Sequence, residues 1–165
     1  MKNDPFFEPV SGAVLPRFAG VPSFMRLPVV EDSHDRIGDV DIGIVGVPWD
    51  GGTTNRPGAR HGPRQLRDLS TMIRATHPVS HISPFKMVNC ADMGDCPINP
   101  ADLNDTMERV TAFYKDVKSR GITPMTAGGD HLVSLPVLRG IASDAPVGMI
   151  HFDAHTDLFD SYFDG

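Results

Sequence analysis

Apolar runs bounded by polar residues mark the predicted strands of this chain. Val40–Val47 is rich in β-branched side chains and predicts the first strand. Two later runs, Ile122–Ala127 and Val147–Phe152, predict further buried strands. A weaker strand is predicted around Lys86–Asn89, leading into a turn at Asp92–Asp95. All of these runs have the length of strands, and none is long enough to span a bilayer.

Helical periodicity fills the intervals between the predicted strands. A first helix is predicted after Pro63, which suits the first helical position. Its expected buried face carries apolar residues at helical spacing: Leu66, Leu69, Met72 and Ile73. A last helix is predicted from Ser134 or Pro136 to Ser143.

The best-marked helix lies between these two. Asn99 can cap it, Pro100 opens it and Gly121 ends it. Its apolar stripe is interpreted as core packing and consists of Leu103, Met107, Val110, Phe113, Tyr114 and Val117. Strands that alternate with helices imply right-handed crossovers and a mostly parallel sheet. The sequence therefore predicts a three-layer α/β/α fold.

The composition is that of an ordinary globular protein. The 165 residues amount to about one domain, and the formal net charge is −6. No basic cluster runs along a predicted face, which argues against a nucleic-acid partner. Residues 1–38 are rich in proline and polar breaks, and they predict an arm that packs on the body or on a neighbouring subunit. Residues 39–165 are expected to belong to one domain.

The amino terminus and the cysteines bear on the compartment and the redox state of the protein. Residues 1–5 have no apolar core of a signal peptide, so a cytoplasmic protein without a membrane partner is expected. Cys90 and Cys96 lack the paired spacing of a zinc site. Their spacing leaves a disulfide open, but reduced thiols fit an intracellular protein better.

Candidate metal ligands follow two of the predicted strands. Asp153-Ala154-His155-Thr156-Asp157 comes directly after Val147–Phe152, so Asp153 and His155 are expected to point the same way. A turn beyond them can return Asp157 to the same place. Gly128-Gly129-Asp130-His131 follows Ile122–Ala127, and its glycines permit a tight turn that aims His131. The carboxyl ends of parallel strands meet at one sheet edge, so a shared site is predicted.

Less specific interpretations were weighed against this one. A solvated acidic turn could explain Asp153, His155 and Asp157, but it requires neither the preceding apolar strand nor a second Gly-Gly-Asp-His turn. Carboxylates and neutral imidazoles favour manganese, nickel, iron or zinc. The remaining histidines are interpreted as core or surface residues, and His151 as a core one: His34, His61, His77, His81 and His151.

Five segments of the chain resemble motifs of the ureohydrolase family, which includes arginase and agmatinase. Gly128–His131 and Asp153–Asp157 are similar to its first two metal-binding signatures, and Gly46–Gly52 followed by Arg56–Pro63 is similar to its glycine-rich loop. Phe18–Pro28 resembles the lead-in of bacterial guanidino-acid hydrolases, most of all guanidinopropionase and its guanidinobutyrase-like relatives. The resemblance extends over essentially the whole chain.

The resemblance implies a function and a ligand set. The function is hydrolysis of a guanidino group to urea and an amine at two divalent ions, Mn²⁺ or Ni²⁺, in a homo-oligomer such as a trimer or hexamer. The implied metal ligands are His131, Asp153, His155 and Asp157, with Asp153 bridging the two ions. A hydroxide shared by the two ions would be the nucleophile. Asp157 could also orient this hydroxide or stabilise the guanidinium during attack.

Residues 39–165 correspond by this resemblance to the N-terminal half of one arginase-like domain. The family's third signature, which carries two further aspartates, and its histidine proton shuttle would follow Gly165. Charge leads to the same expectation, because Asp153 and Asp157 cannot neutralise two divalent ions. A longer enzyme is therefore expected, and these residues alone are expected to be inactive.

Two other classes of function remain open. One is an agmatinase or another metal-dependent amidohydrolase on a related fold, which would also use Asp and His at strand ends. The other is a non-catalytic partner subunit of a ureohydrolase hetero-oligomer.

Substrate contacts are expected from three aromatic residues: Trp49, Phe159 and Tyr162. The family usually carries Asn two residues after the last aspartate of the second signature, whereas this chain has Phe159. An aromatic ring replaces polar groups with apolar surface and can hold a cation. A small guanidino acid or an alkylated guanidine is therefore the expected substrate.

Overall fold

A three-stranded parallel sheet forms the centre of the protein. The computed structural model describes residues 4–161, and its sheet has the order β2-β1-β3. The strands are β1 (Ile42–Val47), β2 (Cys90–Asp95) and β3 (Thr123–Gly128). Ile42 is paired with Cys90 on one side and with Thr123 on the other. The carboxyl ends of all three strands therefore lie at the same edge of the sheet.

Three α-helices connect and cover the strands: α1 (Gly62–Ser70), α2 (Leu103–Ser119) and α3 (Ser134–Ile141). Short 3₁₀ helices occur at Pro5–Phe7, Phe24–Arg26, Ile37–Asp39, Ala59–His61, Pro84–Lys86 and His131–Val133. None of the helices within residues 4–161 has the length and apolarity that a membrane span requires.

Local capping defines the ends of α2. The predicted end at Gly121 is confirmed, because this glycine has φ of +75°, the left-handed conformation typical of a helix terminus. The predicted cap Asn99 is wrong. Asp102 caps the helix instead by accepting a hydrogen bond of 3.0 Å from the amide of Asp105. Asn99 accepts from the amide of Ala101 in the preceding turn.

The two faces of the sheet carry separate hydrophobic clusters. Val45 and Val47 of β1 join the larger cluster with Val110 and Tyr114 of α2. Ile44 points the other way and packs with other residues of the smaller cluster: Phe24, Leu27, Phe85 and Cys90. Alternate residues of one strand therefore bury themselves on opposite faces. The predicted three-layer α/β architecture is confirmed.

Part of the N-terminal arm contributes to both clusters. Phe7 and Val30 are buried in the larger cluster, and Phe24 and Leu27 in the smaller one. Val29 also forms an isolated parallel bridge with Asp92 of β2. The described part of the arm thus packs on the body of its own chain.

The prediction for the region of β2 is wrong: the strand is Cys90–Asp95, where a turn was expected, and Lys86–Asn89 is not a strand. The misleading residue is Asp92, a buried carboxylate within the strand. Asp92 accepts hydrogen bonds from Arg67 Nε at 2.8 Å and from the amide of Phe24 at 3.0 Å. This buried ion pair allows an acidic residue to occupy a strand. The pairing cannot be recognised from the sequence around either residue, because the two lie far apart in the chain.

The predicted buried face of α1 is also wrong. Its members are exposed by 42–61% of their surface: Leu66, Leu69, Met72 and Ile73. The inward face carries Pro63 and Arg67 instead, four residues apart. Arg67 lies 4.2 Å from the ring centre of Phe24 and also bonds Asp95. A charged side chain with buried partners therefore lies on the inward face of this helix, and the apolar residues lie on the outward face.

The strand predicted at Val147–Phe152 is not formed. Ile150 and Phe152 are 85% and 94% exposed, and no strand follows β3 within residues 4–161. A strand requires a hydrogen-bonding neighbour. β1 is already paired on both sides, and neither β2 nor β3 pairs with this segment in the described part of the chain.

Candidate metal centre

The ends of β1 and β3 hold His131 in place. After β3, the amide of Gly129 donates to the carbonyl of Val47, and the amide of Asp130 donates to the carbonyl of Trp49 at 2.8 Å. A Cβ atom on Gly129 would lie 2.1 Å from the Trp49 carbonyl oxygen. Only glycine allows this approach, so Gly129 serves close backbone packing between the two strand ends.

Asp130 connects the turn that carries His131 to the glycine-rich loop. Its Oδ2 accepts a hydrogen bond of 2.7 Å from the amide of Gly52. Its Oδ1 accepts from the amide of Leu132 and so caps the 3₁₀ helix that begins at His131. An aspartate directly before a helix is a recognisable cap, so the sequence carried a signal for this role of Asp130.

A second aspartate closes the glycine-rich loop on itself. Asp50 is buried and accepts hydrogen bonds from the amides of Gly58 (2.7 Å) and Arg60 (3.2 Å). The guanidinium of Arg60 also pairs with it. The Arg60 side chain and, to a smaller extent, these amides lower the pKa of Asp50 to about 2, against the opposing effect of burial. Asp50 is therefore ionised at neutral pH, and the loop is tied at its base.

The Asp153–Asp157 segment returns to His131 through a tight turn. Asp153 Oδ1 accepts a hydrogen bond of 2.9 Å from the amide of His155, and Asp157 has φ of +52°. Asp157 Oδ2 consequently lies 2.7 Å from His131 Nδ1, and Asp153 Oδ2 lies 3.5 Å from the same nitrogen. The structure thus brings together two carboxylates and an imidazole that come from separate parts of the chain.

His155 and His151 both contact Asp153. His155 Nδ1 lies 3.6 Å from Asp153 Oδ1, and His151 Nε2 lies 3.6 Å from Asp153 Oδ2. The expectation of a shared strand face for Asp153 and His155 is wrong, because the segment turns here; their side chains are 26% and 78% exposed. The interpretation of His151 as a core residue is also wrong, since it is exposed and its ring lies 5.3 Å from that of His131.

The donor set suits a first-row divalent metal. Ligand atoms of His131, His151 and Asp153 all lie within 4.8 Å of one another. The amide of His155 is the main cause of a lowered pKa at Asp153; partial burial opposes it, and the three nearby imidazoles lower it further. An ionised carboxylate beside imidazoles is a typical environment for manganese, nickel or zinc. The position of His151 two residues before Asp153 was the available sequence signal, but its place in the centre depends on how the whole segment returns to His131.

The three predicted substrate residues occupy different environments. Trp49 is 6% exposed in the larger hydrophobic cluster, and its buried Nε1 has no hydrogen-bond partner within residues 4–161. Phe159 is 73% exposed on the segment that follows Asp157. Tyr162 lies outside the described residues. The assignment of these residues to substrate binding stays a prediction.

Comparisons with known proteins give the family context of this site. The model of the arginase family matches residues 40–165. Guanidinopropionase from Pseudomonas aeruginosa is 51% identical over 163 residues, which are 99% of this chain and 50% of that protein. Guanidinobutyrase from the same organism is 41% identical over 94% of this chain and 49% of its own length.

A solved structure agrees with these matches. The proclavaminate amidino hydrolase of Streptomyces clavuligerus superposes with a TM-score of 0.81 at 32% identity, over 91% of this chain and 49% of that one. The chain therefore spans about half the length of the relatives it matches. The matched residues include both turns of the candidate centre, and the chain belongs to the arginase family, close to its bacterial guanidino-acid hydrolases.

Proposed function

We propose that this protein hydrolyses a guanidino group to urea and an amine at a centre of two divalent ions. The observation that carries the proposal is the proximity of two carboxylates to His131. Its Nδ1 lies 3.5 Å from Asp153 Oδ2 and 2.7 Å from Asp157 Oδ2. The membership of the arginase family and the names of the guanidino-acid relatives support the reaction class.

The ligands we assign are His131, Asp153, His155 and Asp157. Asp153 is the proposed bridge, because its two oxygens face different imidazoles: Oδ2 faces His131, and Oδ1 faces His155. His151 lies near enough to Asp153 Oδ2 to serve as a further donor or to orient that carboxylate. Manganese is the metal we propose, with nickel as the alternative.

The reaction requires a strong nucleophile because the guanidinium carbon is stabilised by resonance. Divalent ions, when bound, make water nucleophilic near neutral pH. Asp157 is the catalytic residue we propose, since its carboxylate stands beside His131, where it would orient the attacking hydroxide or stabilise the guanidinium. Asp50 and Asp130 keep the neighbouring loop closed over this edge of the sheet.

A small guanidino acid or an alkylated guanidine is the proposed substrate. Support comes from the relatives, whose names specify guanidinopropionate and guanidinobutyrate as substrate types. Phe159 and Tyr162 would provide aromatic surface next to the reacting group, with Trp49 beneath the glycine-rich loop. We also propose a cytoplasmic homo-oligomer, a trimer or hexamer, in which the buried free thiols of Cys90 and Cys96 stay reduced.

Metal analysis combined with urea release from the full-length protein tests the proposal. The panel is guanidinopropionate, guanidinobutyrate, agmatine, arginine and dimethylated guanidine. Asp153→Ala should remove both bound metal and urea release, because a lost bridge leaves neither ion correctly held. The matched control is Asp160→Ala, which removes the same charge from the same segment and should retain both.

The outcomes separate the alternatives. Wild-type urea release by Asp153→Ala would overturn the mechanism. Preference for agmatine would identify an agmatinase instead of a guanidino-acid hydrolase. Metal binding without urea release on any member of the panel, restored only by a second chain, would identify a non-catalytic partner subunit.

A further inference from the structure

A large cavity lies away from the candidate metal centre. It has a volume of about 590 Å³ and is enclosed by the arm around residues 8–17, the 3₁₀ helix Phe24–Arg26 and the loop at residues 73–86. α1 begins next to the carbonyl of Gly128, at the carboxyl edge of the sheet, and runs away from it. Its last residue, Ser70, accepts a hydrogen bond from the amide of Met25 in the cavity wall. The cavity therefore lies towards the amino ends of the strands.

The lining of this cavity is basic. It contains four cationic side chains and a single acidic one, Glu8; the cations are Arg17, Arg26, Arg74 and Lys86. None of the four forms an ion pair within residues 4–161. Other arginines of the protein do so, namely Arg36, Arg60, Arg67, Arg109 and Arg120. Four of the eight lysines and arginines that form no ion pair within residues 4–161 therefore line this one cavity, in a protein whose net charge is −6.

Hydrogen bonds of Arg26 hold the arm against the 3₁₀ helix Phe24–Arg26 in the cavity wall. Arg26 donates from Nη2 to the carbonyl of Leu15 at 2.8 Å, and its own carbonyl accepts from the amide of Val10. Met25, Arg26 and His81 line the cavity with φ between +55° and +61°. Such conformations are costly outside glycine and persist only where the surrounding structure enforces them. The cavity is therefore a defined part of the fold.

A serine side chain adds a neutral polar group to the lining. Ser83 is 9% exposed and lines the cavity. Its hydroxyl makes no hydrogen bond to another residue within residues 4–161 and is open to solvent, because it is not among the sealed polar atoms of this part of the chain that lack a partner. A ligand oxygen in the cavity would accept a hydrogen bond from this hydroxyl.

We propose that this cavity binds a small anion with two or more negative charges. Its volume lies within the range of small-molecule sites, roughly 300–1,000 Å³. Arginine side chains bind phosphate and carboxylate oxygens through paired, charge-assisted hydrogen bonds. Four unpaired cations with one opposing carboxylate match several negative charges, and Ser83 adds a neutral hydrogen bond. The shared chemistry is that of a multiply charged oxyanion, either a polyphosphate or a polycarboxylate.

Calorimetric titration of the full-length protein at low salt tests this site. The probes are inorganic tripolyphosphate and propane-1,2,3-tricarboxylate, which distinguish the two kinds of anion. Arg74→Gln combined with Lys86→Gln should weaken binding of the preferred probe by about tenfold or more. Both side chains are exposed and make no hydrogen bond to another described residue, so the fold should be retained. Binding should also weaken as ionic strength rises.

The matched control is Lys115→Gln combined with Arg139→Gln. These residues line a different, shallower cavity between α2 and α3, and the double change removes the same charge. The control should bind the probe as the unmodified protein does. If the cavity variant unfolds, Ser83→Ala takes its place and should weaken binding by about two- to tenfold.

Three outcomes would overturn the proposal. In the first, the cavity variant binds both probes with unchanged affinity. In the second, binding is lost on His131→Ala and not in the cavity variant, which would assign the anion to the metal centre. In the third, the cavity variant changes only the oligomeric state in light scattering, which would assign this basic surface to an acidic segment of a second copy.

Discussion

Asp130 connects His131, a proposed metal ligand, to the loop beside it. One of its carboxylate oxygens accepts a hydrogen bond from the amide of Gly52 in the loop, and the other accepts one from the amide of Leu132, the residue after His131. Groups that orient a metal ligand commonly affect metal binding nearly as much as the ligand itself. Asp130 therefore acts through His131 and the loop, without itself being one of the proposed ligands.

We predict that Asp130→Ala weakens binding of Mn²⁺ by about tenfold or more. The loss arises because neither the Gly52 amide nor the Leu132 amide retains its acceptor. Calorimetric titration of Mn²⁺ measures the effect. Asp102→Ala is the control, since it removes a helix cap of the same type and should lower the free energy of unfolding by about 1 kcal/mol. Equal weakening of Mn²⁺ binding in both variants would contradict a positioning role.

Phe159 stands where the resemblance to the family leads us to expect Asn. We predict that Phe159→Asn shifts the ratio of kcat/KM values towards substrates with polar tails, by roughly tenfold if a hydrogen bond of about 1–2 kcal/mol is gained. Steady-state urea release on the guanidine panel gives the ratio. Phe18→Asn changes a similarly exposed phenylalanine in the arm and should leave the ratio of kcat/KM values unchanged. An unchanged ratio in the Phe159 variant would place this ring away from the substrate.

Elements of this fold are joined by a buried ion pair as well as by apolar packing. Arg67 of α1 reaches Asp92 and Asp95 of β2, and it stacks on Phe24 of the arm. The paired carboxylates raise the pKa of Arg67 in spite of its burial. One side chain thereby holds three elements together, and its removal would leave Asp92 buried without a positive partner.

We predict that Arg67→Ala lowers the free energy of unfolding by about 3–5 kcal/mol, because an unpaired charge would remain buried. Arg64→Ala on the same helix changes an exposed arginine and should alter the free energy of unfolding by less than about 0.5 kcal/mol. Urea denaturation followed by circular dichroism measures both values. A loss below about 1 kcal/mol in the Arg67 variant would show that the pair contributes little to stability.

The molecule as a whole exposes an apolar segment beside its candidate centre. The exposed side chains include Met149, Ile150, Phe152 and Leu158, at 63–94% of their surface. Exposed apolar runs of this kind promote association. β3 is also an outer strand of the described sheet, with one edge open to another chain.

We therefore predict that these 165 residues, expressed alone, release no urea and bind a hydrophobic dye such as ANS. A protein of the same length as its relatives should bind less dye per residue. Dye fluorescence, light scattering and urea release are the measurements. Cooperative thermal unfolding of the 165 residues as a monomer that does not bind the dye would contradict this prediction.

Local patterns of the sequence determined much of the fold. Ile42–Val47 and Thr123–Gly128 were predicted within two residues of their bounds, and Leu103–Ser119 and Ser134–Ile141 were predicted as helices. These elements depend on residues near one another in the chain, such as a run of β-branched side chains or Gly121 at a helix end. The paired motifs also indicated the family and drew attention to both turns of the candidate centre.

Tertiary structure alone decided the remaining features, because each depends on residues far apart in the chain. β2 contains Asp92 and packs through Arg67, so its acidic side chain misled a reading based on strand propensity. The inward face of α1 carries Arg67 of this pair, while its apolar face is exposed. The run Val147–Phe152 remained unpaired, since a strand requires a neighbour that no local pattern can supply. His151 joined the candidate centre for the same reason: its position follows from where the whole segment lies.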